Sequence, residues 1–119
     1  MNGTPANAVD ARAAAIRRAV RAVKRGSFAS YGEIARRAGL PGRARLVGQV
    51  LRESGDEWRL PWHRVTGAGG RIAFPVGSSN ARQQLRLLAG EGVKTRGNRA
   101  LATHSPGAKK SLDKLLWKI

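Results

Sequence analysis

Apolar residues recur along this chain with a helical period in several segments, separated by stretches with no period or with glycine. After a loose start rich in small residues, Asp10 is a suitable N-cap for a helix running to about Arg25. Ile16, Val20 and Val23 share one face of it, and Arg17, Arg18, Arg21 and Lys24 lie largely off that face. Gly26 is a natural stop. Ser30 and Glu33 have the spacing of a capping box and predict a short helix from Tyr31 to Ala38, closed by Gly39 with Pro41 just beyond. A second helix follows from about Arg43 to Arg52. At about 100° per residue, Leu46, Val47, Val50 and Leu51 gather on its inner side, with Arg45, Gly48, Gln49 and Arg52 opposite. Two short helices joined by a glycine-containing turn outline a helix-turn-helix unit whose second helix is the recognition element.

From Trp58 to Thr66 the pattern turns extended, and Gly67-Ala68-Gly69-Gly70 then supplies a flexible turn before Arg71-Ile72-Ala73-Phe74. This predicts a small hairpin, or wing, behind the helices. Ser79 is the expected cap of a last core helix through about Ala89, with Leu85 and Leu88 inward and Gly90 near its end. Beyond Gly92 the chain reads as basic, glycine-containing and irregular. Leu112, Leu115, Leu116 and Ile119 then fall at helical spacing, as a docked terminal helix or an extended anchor around Trp117. The expected architecture is mainly α with a small β-hairpin. It forms one domain over residues 1–119, with a core of about 10–92 and a basic extension over 93–119.

Charge narrows the function. Twenty-three Lys and Arg against seven Asp and Glu leave a formal charge of +16 on 119 residues. Such self-repulsion is a standing cost unless a counter-charge binds, so a polyanion is the expected partner. Nucleic acid fits better than a membrane, because the apolar stripes are short enough to be consumed by a core. There is no cysteine, which excludes disulfides and thiolate ligands, and two histidines with scattered acids make a buried metal cage improbable. Neither metal nor cofactor is expected. No apolar run reaches membrane-span length and the amino terminus lacks a signal-peptide core, so a cytoplasmic, DNA-associated monomer is the expectation.

Two features of the residues themselves point to a site. Glycine inside a helix costs up to about 1 kcal/mol relative to alanine, so Gly48 implies a close approach to the backbone, by a packed helix or by a ligand. The run Pro61-Trp62-His63-Arg64-Val65 is the other. It resembles the PCHRV active-site motif of O6-alkylguanine-DNA alkyltransferases, with tryptophan in place of the nucleophilic cysteine. Ser30-Tyr31-Gly32-Glu33-Ile34-Ala35 is similar to that family's SYGEIA segment, and Ala44-Arg45-Leu46-Val47-Gly48 to its ARxVG helix, in the family's order and spacing. Glu91-Gly92-Val93 and Leu116-Trp117-Lys118 add partial matches. The resemblance, over about Ser27 to Gly92, is to the alkyltransferase-like proteins and implies a winged helix-turn-helix DNA-binding domain of the alkyltransferase type.

Alkyl transfer from guanine O6 needs an ionisable nucleophile that keeps the alkyl group, and indole offers only a weak N–H donor and an apolar face. The resemblance therefore implies a non-enzymatic damage sensor. It would bind O6-alkylguanine in double-stranded DNA from the minor groove, flip it into a pocket over Trp62 and mark it for nucleotide excision repair proteins. On this reading Ala44, Gly48, Gln49 and Arg52 line the groove, Arg45 fills the gap left by the flipped nucleotide, and Tyr31 rotates the phosphate. Tyr31 as a half-buried aromatic and Arg45 as a plain phosphate contact remain the competing readings. Pro61, Trp62, His63, Arg64 and Arg71 are the expected pocket residues, with His63 and Glu91 as structural remnants that hydrogen-bond within the pocket and Arg64 bracing the same loop. The sequence departs from the family at Ser54, where asparagine is frequent, and at Pro75, where some relatives carry a base-contacting arginine that Arg71 or Arg82 would have to replace. Two other classes stand beside this one: a helix-turn-helix transcription or nucleoid protein with a vestigial pocket, and a residual transferase or hydrolase.

Overall fold

The computed structural model describes residues 4–102, with side chains described from residue 11 onward; the segment around Leu112 to Ile119 lies outside the described residues. Helix α1 spans Thr4–Arg21. It begins earlier than the expected cap at Asp10, because the small residues of the start include alanines, the best helix formers, and Pro5 sits in the first turn, where its missing N–H costs nothing. It also ends before Arg25. The Val23 carbonyl is taken by Nη1 of Arg64 at 2.9 Å, and Gly26, at φ 85°, turns the chain away.

Strand β1 (Ala29–Ser30) leads directly into α2 (Tyr31–Arg37). The capping box is complete: Glu33 N–H donates to Ser30 Oγ and Ser30 N–H to Glu33 Oε1, both at 3.1 Å. The left-handed conformation of Gly39, φ 78°, permits the turn into α3 (Ala44–Glu53). Helix α3 buries Val47 and Val50 and packs Leu46 and Leu51 against the same cluster, the face read from periodicity. That cluster joins Ile16 and Val20 of α1, and Val23 just beyond it, to Ile34 and Ala35 of α2. The three helices pack pairwise into one body.

The wing differs from expectation. Trp62–Arg64 is a single helical turn, and strand β2 (Val65–Thr66) pairs in parallel with β1, Ala29 against Val65 and Ser30 against Thr66. Residues 68–70 form another single turn, with Gly69 at φ 70° and Gly70 at φ 85°. The segments flanking that turn therefore do not make the hairpin; β2 is captured by a partner more than thirty residues earlier in the chain. Helix α4 (Ser79–Gly90) is capped by Ser78 rather than Ser79, Ser78 Oγ accepting from Ala81 N–H at 3.2 Å. It buries Ala81, Gln84 and Leu88, with Leu85 packed beside them. The antiparallel hairpin lies beyond it: β3 (Thr95–Arg96) and β4 (Arg99–Ala100) turn through Gly97-Asn98. A two-residue Gly-Asn loop is a recognised hairpin signal, and here it sits within the stretch that otherwise reads as irregular. Val93 and Ala100 join Ile72, Ala81 and Leu88 in a second apolar cluster, so the packed body runs past Gly92.

Replacing Ser30 with alanine removes the acceptor for Glu33 N–H and is expected to cost about 1 kcal/mol, lowering Tm by a few degrees in a thermal melt. Replacing Ser79, the cap expected from sequence, should cost far less than replacing Ser78.

Candidate nucleic-acid interface

An open cleft of about 860 Å³ lies between the outward face of α3 and the turn that carries Trp62. Ala44, Arg45, Gly48, Gln49 and Arg52 of α3 line it, the residues expected on the outward face of that helix, together with Tyr31 from the start of α2. Trp62, Val65, Ala73, Phe74, Asn80 and Gln84 also line it. The Trp62 indole is partly exposed rather than sealed in the core, and it stands edge-on to Phe74 with ring centroids 6.1 Å apart and planes at 87°.

Gly48 is crowded by no neighbouring helix. A methyl group there would meet only Arg52 Nη1 at 3.5 Å and Tyr31 Cε1 at 3.9 Å, ordinary contacts with movable side chains. Helix packing is therefore not the reason for the glycine, and its effect is to leave α3 bare where it faces the cleft. The amino end of α3 has no acidic residue in its first turn and no side-chain cap, and Arg43 and Arg45 stand there instead. Cations at that end oppose the helix dipole, an arrangement that an anion would relieve. Tyr31 is half-buried at the start of α2; burial pushes its hydroxyl pKa up, and the nearby Arg52 charge partly counters this.

The other motif residues do a different job. Pro61, His63 and Arg64 do not line the cleft. Arg64 grips Glu91 in a bidentate pair, Nε to Oε1 at 2.9 Å and Nη2 to Oε2 at 2.7 Å, while His63 Nε2 lies 2.9 Å from the same Oε2. Glu91 also accepts from Gly26 N–H at 3.4 Å. The carboxylate thus ties the Trp62 turn to the end of α4 and to the loop after α1; Arg64 braces the turn, and His63 and Glu91 hydrogen-bond to each other away from the cleft rather than within it. Hydrogen bonds from Arg64, then those from His63 and Gly26, hold the Glu91 carboxyl down at about 2, although burial works against them. Arg71 and Arg82, the candidates to replace an arginine at Pro75, are exposed and line no part of the cleft, and neither does Pro75. Arg71 therefore does not belong to the pocket. The backbone there runs outward to pair with Arg99 instead.

Gln84 went unread in the sequence. It is 1% exposed, and its amide donates to the carbonyls of His63 at 3.0 Å and Val65 at 2.9 Å, fixing the turn from behind. Its spacing from Ala81 and Leu88 puts it on the inward face of α4, so a polar residue at a core position was the available signal. The loop before the turn is held separately. Ser54 Oγ donates to the Val50 carbonyl at 2.6 Å and receives Arg17 Nη1 at 3.4 Å, and the Arg17 guanidinium lies 3.8 Å from the Trp58 ring centre. Serine therefore serves where the family often has asparagine.

The profile of the family described as "6-O-methylguanine DNA methyltransferase, DNA binding domain" matches residues 11–93. The chain belongs to that family of DNA-binding domains. Within it the resemblance is to the alkyltransferase-like branch. Alkyltransferase-like protein 1 of Schizosaccharomyces pombe is 41% identical over 68 residues, which are 57% of this chain and 63% of that protein. The DNA base-flipping protein of Escherichia coli K12 is 42% identical over 79 residues, 66% of this chain and 60% of that protein. The chain thus spans a little under two thirds of the length of these two relatives. In three dimensions this alkyltransferase-type domain is similar to S. pombe Atl1 in complex with damaged DNA containing O6-carboxymethylguanine, at a TM-score of 0.69 and 34% identity over 79% of this chain and 91% of that one. Among the described residues of the domain, no helix is long and apolar enough to cross a membrane, and no cluster of His, Cys, Asp and Glu is placed to hold a metal ion.

Two outcomes follow from this geometry. A carboxyl held near 2 when folded and near its ordinary value when unfolded binds more protons in the unfolded chain between those values. Its contribution, about 3 kcal/mol, is present above about pH 5 and lost as pH falls towards 2. Glu91→Gln should remove that acid-limb loss from denaturation curves and, by stranding Arg64, destabilise the domain by about 3 kcal/mol at neutral pH. Gly48→Ala, in contrast, should raise Tm, since a methyl fits and helix propensity gains up to about 1 kcal/mol.

Proposed function

We propose that this domain is a non-enzymatic sensor of O6-alkylguanine in double-stranded DNA. Helix α3 enters the minor groove, the lesion rotates out of the stack into the cleft beside Trp62, and the complex marks the site for nucleotide excision repair. The observation that carries the reading is the cleft itself. It is within the range of about 300–1,000 Å³ usual for ligand pockets. One wall is the bare cationic face of the recognition helix and the floor is an aromatic ring at the family's cysteine position.

The chemistry is consistent from end to end. Alkylation at O6 removes the N1 proton and weakens pairing with cytosine, so extrusion, normally a few kcal/mol, becomes cheaper for the damaged base. Arg45, exposed on the cleft side of α3, fills the vacated stack, and Tyr31 at the cleft edge meets the rotated phosphate. Trp62 and Phe74 supply apolar faces for the base and its alkyl group. Indole cannot accept the alkyl group, and with no cysteine in the chain the lesion stays on the DNA. A bound lesion that is not removed must be handed on, which is the link to excision repair. Relatives bearing the names alkyltransferase-like protein and DNA base-flipping protein, and one solved on damaged DNA, support the same reading.

The direct test is binding to matched duplexes with and without O6-methylguanine at physiological salt. At least tenfold tighter binding of the damaged duplex is expected, with no methyl group on the protein by mass spectrometry. Equal affinities would remove the proposal. Arg45→Ala should lose most of that preference and little of the binding to undamaged duplex, whereas a plain phosphate contact would lose both alike. Gly48→Ala should weaken binding to both duplexes although the protein melts higher.

A further inference from the structure

Three arginines stand in a row on the hairpin beyond α4. Arg96 and Arg99 are direct cross-strand partners in β3 and β4, and Arg71 pairs with Arg99 from the other side in an antiparallel bridge. Directly paired residues share a face, so all three side chains leave the same side of a three-stranded patch. At about 4.8 Å per strand the row is about 10 Å wide. All three are exposed, and none makes an ion pair with an acid among the described residues. Like charges directly opposite one another in a ladder are destabilising.

The patch is nevertheless built firmly. A Cβ on Gly70 would collide with the Ala100 carbonyl, so glycine is needed there for β4 to dock, and the Arg99 guanidinium lies along Gly69, with Nη1 3.4 Å from where a Cβ would stand. Ile72 N–H donates to the Asn98 carbonyl at 2.8 Å. The Asn98 amide in turn donates to the carbonyls of Ile72 at 3.3 Å and Phe74 at 3.0 Å. Ala73 and Phe74 line the cleft. The hairpin turn therefore holds the segment through which residues 73 and 74 reach the cleft, and the arginine row begins two residues from it.

We propose that Arg71, Arg96 and Arg99 form a second DNA-backbone site, which takes consecutive phosphates of the same duplex on the side of the cleft away from α3. Guanidinium groups grip phosphate oxygens through paired N–H donors, and phosphates between them convert a repulsive row into an attractive one. This goes beyond the lesion pocket and rests on the reading of the domain as a DNA binder. It assigns to the row affinity without lesion preference, because a phosphate carries no information about the base.

The experiment is a salt series of anisotropy titrations on damaged and undamaged duplexes. The full chain is compared with R71Q/R96Q/R99Q, Arg96→Gln alone and a charge-retaining R71K/R96K/R99K. Each phosphate contact contributes about 0.9 to the slope of log K against log salt. The triple Gln variant should reduce the slope by about two to three and the single variant by about one. Both duplexes should weaken by the same factor, the Lys variant should keep the slope, and the unbound triple Gln protein should melt no lower than the parent. An unchanged slope in the triple and single Gln variants would overturn the proposal, as would a loss confined to the damaged duplex. If the parent shows no lesion preference but the slope still falls, the sensor reading fails and the phosphate row stands.

Discussion

The arrangement of this domain depends on one carboxylate. Glu91, at the end of α4, takes both forks of Arg64 and the imidazole of His63, while Arg64 reaches on to the Val23 carbonyl just beyond α1. The turn that carries Trp62 is thereby fixed to two helices that contribute little to the cleft themselves. A bidentate pair is directional as well as strong, so it sets the orientation of the turn, and Gln84 behind it satisfies the carbonyls that the turn leaves unpaired. With those bonds in place the indole cannot sink into the core. It stays at the floor of an open cleft.

The opposite wall obeys a different economy. Helix α3 gives its apolar side to the three-helix core and leaves arginines, a glutamine and a glycine facing outward. In the isolated protein each of these is unfavourable: the glycine lowers helix propensity, and the cations at the amino end oppose the dipole. On the proposed reading, a polyanion with a narrow, closely approached groove would turn the same features into contacts. The charge of +16 has the same logic on the scale of the whole chain. Stability and binding therefore pull in opposite directions along this helix, which is common where a surface has been shaped for a ligand.

Much of this was legible in the residues. The Ser30–Glu33 box, the Gly39 stop and the two faces of α3 rest on contacts within a few positions of each other, and they stand where periodicity and capping put them. The strands did not. Val65–Thr66 pairs with Ala29–Ser30, a parallel partner far away in sequence, so the glycines at 67, 69 and 70, which look like a hairpin loop, serve as a turn that seats β4. The actual hairpin is shorter than most strands and is made of arginine, threonine and alanine, with no alternation to detect; only its Gly-Asn loop marks it.

The sequence by itself determined what chemistry is available: no thiol anywhere, an indole at the reactive position of its motif, a cationic recognition face and a large unbalanced positive charge. Those are properties of residue types and local spacing, and folding does not alter them. Only the tertiary structure decided which motif residues face the cleft and which hold it in place. Trp62 points into the opening, whereas its immediate neighbours His63 and Arg64 turn away to Glu91, and Arg71 leaves for the hairpin. Adjacent side chains on a single helical turn point in different directions, and each direction is set by whichever distant partner reaches it. That partner is a fact of packing, not of spacing.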